Sequence, residues 1–68
     1  MKEGGHMASR VGNRLRKLRG DKTQAEVAKD LNISPAAVSA YENGDRVPRD
    51  QLKKKIAKYY NADISIFF

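Results

Sequence analysis

Cations outnumber every other class of side chain in this sequence that could do chemistry. Lysine and arginine number 14 against 8 aspartates and glutamates, a formal net charge of +6. That balance favours a polyanionic partner, although many basic surfaces are simply solvated ones. Bond-breaking chemistry has little to work with. There is no cysteine, hence no disulfide framework and no thiolate metal site. The single histidine, His6, cannot build a metal site by itself. Paired carboxylates, a phosphate-cradling glycine loop and a nucleophile with a neighbouring base are all missing. The sequence therefore reads as a non-enzyme with no cofactor and no metal, one that works by non-covalent contact.

The stretch that must position such contacts is TQAEVAKDLNISPAAVSAYENG, Thr23 to Gly44. Thr23 stands just before a run of helix formers, where its hydroxyl can accept a hydrogen bond from an orphan N–H of the first turn. Glu26, three residues later, completes a capping box. Val27, Ala28 and Leu31 form a narrow apolar stripe at helical spacing. Asn32 tolerates the left-handed conformation that ends a helix, and Ile33 drops into the corner. Ser34-Pro35 then opens a second helix, with the hydroxyl at the cap and proline where its missing N–H costs nothing. Val38 and Tyr41 carry the apolar spacing on, and Gly44 stops it. Two helices joined by so short a turn must cross steeply, which is the helix-turn-helix arrangement.

Counted from Gln24 as the first of twenty residues, the apolar positions Val27, Leu31, Ile33, Val38 and Tyr41, with the small Ala28 at the closest approach, follow a particular register. It resembles that of the phage repressor and Cro family, the XRE-type regulators, with one departure at Asn32, where glycine is usual. The resemblance covers about Val11 to Phe68. It implies an all-α fold, a compact five-helix bundle, whose third helix (about residues 35–43) enters the major groove of double-stranded DNA. Carried over position by position, it implies base reading by Ser34, Pro35, Ala36, Ala37, Ser39 and Ala40. These side chains are short, and none is the arginine, lysine, glutamine or asparagine that grips a base edge with two hydrogen bonds. Proline suits the capping role. Gln24, Asn43 and the N–H groups near Gly44 match phosphate-contacting positions, and Arg46 and Arg49 flank the next loop, suited to phosphate or the minor-groove edge. Affinity should then rest on the backbone, with modest base discrimination and a large shape component. The resemblance also implies an ion pair between Arg19 and Glu42.

One short recognition helix covers few base pairs, so a homodimer on half-sites about one DNA turn apart is expected. With no sensing or activating domain in the sequence, the implied role is a transcriptional regulator that represses by occlusion. The alternative is a helix-turn-helix protein-interaction module for a co-regulator or a toxin partner. The alanine-rich third helix favours it; Arg46 and Arg49 count against it.

The flanks complete the reading. Met1 to Ser9, with a glycine pair before His6-Met7-Ala8-Ser9, looks like a cloning scar, which leaves 10–68 as a single domain. Val11, Leu15 and Leu18 give a first helix its buried stripe. Asp50 is expected to cap a fourth helix through Tyr60, with Leu52, Ile56, Tyr59 and Tyr60 inward and Lys53, Lys54, Lys55 and Lys58 on its wet side. The tail, ADISIFF, is read as a short fifth helix capped by Asp63. Its apolar residues Ile64, Ile66, Phe67 and Phe68 exceed what a small core can cover and offer a self-association surface. No apolar run reaches membrane-span length and no secretion signal stands out, so cytoplasmic residence is expected.

Overall fold

Two hydroxyl groups, on Thr23 and Ser34, set the starts of the helices that organise the fold. In the computed structural model, which describes residues 7–68 and the side-chain surroundings of residues 10–68, α1 runs Met7–Arg19, α2 Gln24–Leu31, α3 Pro35–Asn43 and α4 Asp50–Tyr59. His6 and the residues before it lie outside the described part. The α1 backbone begins at Met7, ahead of Arg10, so the helix extends into the segment set aside as a scar.

Thr23 Oγ1 accepts from the Glu26 N–H at 3.0 Å, and the Glu26 carboxylate accepts from the Thr23 N–H at 2.7 Å, a closed capping box. Ser34 Oγ accepts from the Ala37 N–H at 3.1 Å, with Pro35 as the first helical residue. Both helices end alike. Asn32 takes φ 60° and Gly44 φ 79°. The Ile33 and Asp45 N–H groups reach back to Ala28 O and Ala40 O, each at 2.9 Å. These are Schellman closures, which satisfy carbonyls that a helix end would otherwise leave orphaned.

The core draws on every helix: Val11 and Leu15 from α1, Val27, Ala28 and Leu31 from α2, Val38 and Tyr41 from α3, Ile56 and Ala57 from α4. Phe67 joins it from the tail. At Gly12 of α1 two helices approach backbone to backbone. A Cβ there would stand 2.2 Å from Glu42 O and 2.9 Å from Tyr41 O, so α1 lies directly on the α3 backbone. Lys55 Nζ donates to Leu31 O at 2.8 Å, tying α4 to the last turn of α2, where a cation is favoured by the helix dipole. The Tyr59 hydroxyl donates to Asp30 at 2.6 Å and accepts from Lys22 at 3.1 Å.

Four expectations change. Among the described residues the bundle has four α-helices and a single 3₁₀ turn, Ile64–Phe67, rather than five helices. Asp63 does cap that turn, accepting from the Ser65 N–H at 2.8 Å. The bonds that follow, Ile66 N–H to Asp63 O and Phe68 N–H to Ser65 O, span three residues, and such tight coils stay short. Leu18 is 37 % exposed, although it continues the spacing of the buried Val11 and Leu15. Asp50 is the first residue of α4 and not its cap; Arg49 holds the cap position without a side-chain bond. Phe67, 3 % exposed, is core and unavailable for association, whereas Ile64 and Phe68 remain exposed and Ile66 is half-buried against the core.

Candidate nucleic-acid interface

Helix α3 presents its beginning to solvent and buries its end. Ser34, Pro35 and Ala36 are exposed; Ala37, Ser39 and Ala40 are half-buried; Val38, Tyr41 and Glu42 are inside. The small side chains of the first turn leave the helix backbone open to close approach by another surface, with room for a groove about 12 Å wide to receive it.

The buried end is held by charge. Glu42 is 2 % exposed and is the buried charged residue among those described. Arg19 meets it through two hydrogen bonds, Nε to Oε2 at 2.7 Å and Nη2 to Oε1 at 3.1 Å, the planar fork that makes arginine–carboxylate pairs strong. Gln24 Nε2 donates to the same Oε1 at 3.0 Å. Burial pushes the Glu42 carboxyl up, but the hydrogen bonds from Arg19 and Gln24, with the Arg19 and Arg16 charges, outweigh it and hold it below the usual glutamate range. The charge is thus retained at neutral pH. Nearby, burial and then the Glu42 charge push the Tyr60 phenol up to about 12, keeping it neutral beside that carboxylate. Arg19 also donates to Lys22 O at 2.8 Å, so one guanidinium clamps α3 and the α1–α2 loop together.

This lock places Gln24 at the start of α2, beside α3. An amide carries two N–H donors, and Glu42 takes one, which leaves another for a partner. Arg46 and Arg49 are exposed in the α3–α4 loop. The Arg46 guanidinium lies 6.0 Å from the Tyr41 ring centroid, a cation–π contact that limits its swing. Asn43 is exposed and Gly44 half-buried at the α3 end. The fold therefore brings Gln24, Asn43 and the α3 surface together around one edge, with Arg46 and Arg49 in the adjoining loop. Ile64 and Phe68 belong elsewhere, with Asp50, Lys53 and Lys54 of α4; Lys53 Nζ stands 5.1 Å from the Phe68 ring centroid.

Sequence reasoning missed Gly12 and Arg16. A glycine inside an amphipathic helix signals a close backbone approach, and that signal was present. Arg16 carries no comparable mark. Its Nη2 donates to Asn43 Oδ1 at 2.9 Å and to Glu42 O at 3.3 Å, contacts that only the folded chain creates.

Two short capped helices joined by a three-residue turn, Asn32 to Ser34, with the second helix exposed at its start, define a helix-turn-helix domain. A family model described as Helix-turn-helix matches residues 14–67. The chain belongs to that family, the DNA-binding helix-turn-helix of the phage repressor and Cro type, which is not a family of enzymes. No curated protein and no solved structure matches the chain. Among the described residues, no helix is long and apolar enough to cross a membrane.

Proposed function

We propose that this chain is a sequence-specific regulator of transcription that places α3 in the major groove of double-stranded DNA and represses by occluding a promoter. The observation that carries the reading is the asymmetry of α3: a short-chained, exposed first turn on a helix whose far end is locked by Arg19, Gln24 and Glu42. In this reading Ser34, Ala36, Ala37, Ser39 and Ala40 face the bases, with Pro35 pre-forming the turn. Gln24, Asn43, Arg46 and Arg49 hold phosphates, while Gly44 serves by ending α3 beside them, since its N–H and that of Asp45 are spent on Tyr41 O and Ala40 O. The protein acts as a homodimer on two half-sites, and exposed Ile64 and Phe68, rather than buried Phe67, are the apolar residues available to pair copies. The 10–68 portion is one domain, Met1 to Ser9 is a remnant that adds nothing to recognition, and the protein resides where the DNA is, in the cytoplasm.

Selection from a random duplex pool at physiological salt tests this. An enriched inverted repeat with half-site centres about ten base pairs apart is the expected outcome. Arg46→Ala and Arg49→Ala should each weaken binding to all sequences and reduce the salt slope by about one unit. Retention of duplex without any enriched sequence would remove the base-reading part. No retention at all would turn the proposal over in favour of a protein-interaction module, the use that an alanine-rich α3 also permits.

A further inference from the structure

Arg16 lies outside the contacts assigned above, yet it heads a chain of hydrogen bonds running onto the surface of α3. Its Nη2 donates to Asn43 Oδ1 at 2.9 Å, and Asn43 Nδ2 donates to Ser39 Oγ at 3.2 Å. Ser39 and Asn43 sit four residues apart, one turn along the same helix face. Each bond donates in the same sense, away from the guanidinium and toward the serine. Arginine has no acceptor, so the Asn43 oxygen must face it, and this fixes which way the amide is turned. The amide then spends an N–H on Ser39, occupying a lone pair of the hydroxyl oxygen. Linked bonds of one direction polarise each other, which makes the serine proton a better donor. That proton has no acceptor among the described residues.

We propose that Arg16 is a positioning residue that sets Ser39 as a hydrogen-bond donor toward DNA and so gives an otherwise indifferent hydroxyl a preference among bases. A free serine donates or accepts with little discrimination. A serine whose oxygen is engaged by Asn43 offers its proton, and the major-groove edges of guanine, adenine and thymine each present an acceptor. Cytosine presents only a donor there, which leaves the readied proton unused and only the second lone pair to accept, so it is the base disfavoured at the position Ser39 meets. The inference rests on the proposed entry of α3 into the major groove.

The test compares base preferences from the random duplex pool for the wild-type chain, Arg16→Met, Arg16→Lys, Asn43→Ala and Ser39→Ala. The wild type should disfavour cytosine at one position per half-site by about threefold to tenfold, the worth of one hydrogen bond. Arg16→Met and Asn43→Ala should both erase that bias while the other positions keep their base preferences, and Asn43→Ala, which also loses a phosphate contact, should in addition bind every sequence more weakly. Arg16→Lys should keep part of it, because one nitrogen, Nη2, makes both bonds and an ammonium can stand in its place. Ser39→Ala should abolish the bias, and adding Arg16→Met to it should change nothing more at that position. Asn43→Ala leaves the Arg16 bond to Glu42 O in place, so a loss shared by both variants is not a loss of the helix end. Arg16→Met lowering affinity for every sequence alike, with the cytosine bias intact and a shallower salt slope, would make Arg16 a phosphate contact and overturn the inference. No base preference in the wild type would instead overturn the underlying reading of α3.

Discussion

At its C-terminal end α3 puts Tyr41, Glu42 and Gly44 against α1, α2 and the following loop, while at its N-terminal end Ser34, Pro35 and Ala36 stand in solvent. The buried end is specified by contacts that tolerate little change: a glycine with no room for a methyl, and a carboxylate surrounded by donors. The exposed end is specified only by a cap and by the shortness of its side chains. The difference teaches where such a helix keeps its rigidity. Packing and charge fix the direction of the whole rod from one end, and the other end is left bare enough to meet a second surface. Substitutions at the two ends should therefore fail in different ways.

The most damaging change should be Gly12→Ala. The added carbon would overlap the α3 backbone at Glu42 O, where no side chain can move aside. Overpacking of this kind should cost about 3 kcal/mol or more, a fall in Tm of at least about 12 °C for a domain of this size. A calorimetric melt within a few degrees of wild type would show that the α1–α3 contact gives way easily.

Arg19→Met comes next. It leaves Glu42 buried with Gln24 and a more distant Arg16 as partners, a loss of about 3 kcal/mol, at the low end for a broken buried pair because Arg19 was itself 19 % exposed. The folded-state pKa of Glu42 is depressed in the wild type. Its contribution is therefore complete above the unfolded glutamate pKa and is lost as pH falls through the folded one. The deficit of Arg19→Met relative to wild type should be widest at pH 7 and should narrow in acid, as read from chemical unfolding at pH 7, 5 and 3. A deficit that does not vary with pH would mean that packing, and not charge, locks this end.

At the exposed end the effects shrink. Ser34→Ala removes the bond to the Ala37 N–H and should cost about 1 kcal/mol. Smallest for stability should be Ala36→Gln, within about 0.5 kcal/mol of wild type because the site is exposed. Glutamine can grip adenine with two hydrogen bonds, so this variant should gain an adenine preference worth about 1–3 kcal/mol in duplex selection. A stable Ala36→Gln with unchanged base preference would place Ala36 away from the bases.

Much of this architecture was legible in the sequence because its signals are local. Thr23 with Glu26, Ser34 with Pro35, and the left-handed Asn32 and Gly44 each act within one turn of chain, and each is found in the structure as hydrogen bonds at the helix ends. What was not legible depends on partners far along the chain. Spacing marked Leu18 as buried, but it stays 37 % exposed, whereas Gly12 is covered by α3 from 30 residues away. Four residues, Ile64 to Phe67, are too few for periodicity to separate an α-helical turn from a 3₁₀ turn. Lys55 read as a solvated lysine until α4 set it against the carbonyl of Leu31. The role of Arg16 is invisible in the sequence for the same reason.

The Gly44 amide that closes α3 also governs how the protein ages. Asn43-Gly44 is the dipeptide at which a slack chain most readily cyclises, the glycine nitrogen attacking the asparagine side-chain carbonyl and expelling ammonia to give a succinimide, which water then opens to aspartate or isoaspartate. Here that nitrogen donates to Tyr41 O at 3.3 Å, and the bond from Asn43 to Ser39 holds the side chain along α3. Ring closure must wait until the last turn of α3 opens. Deamidation at Asn43 should therefore be slow, and its rate should count how often that turn comes undone.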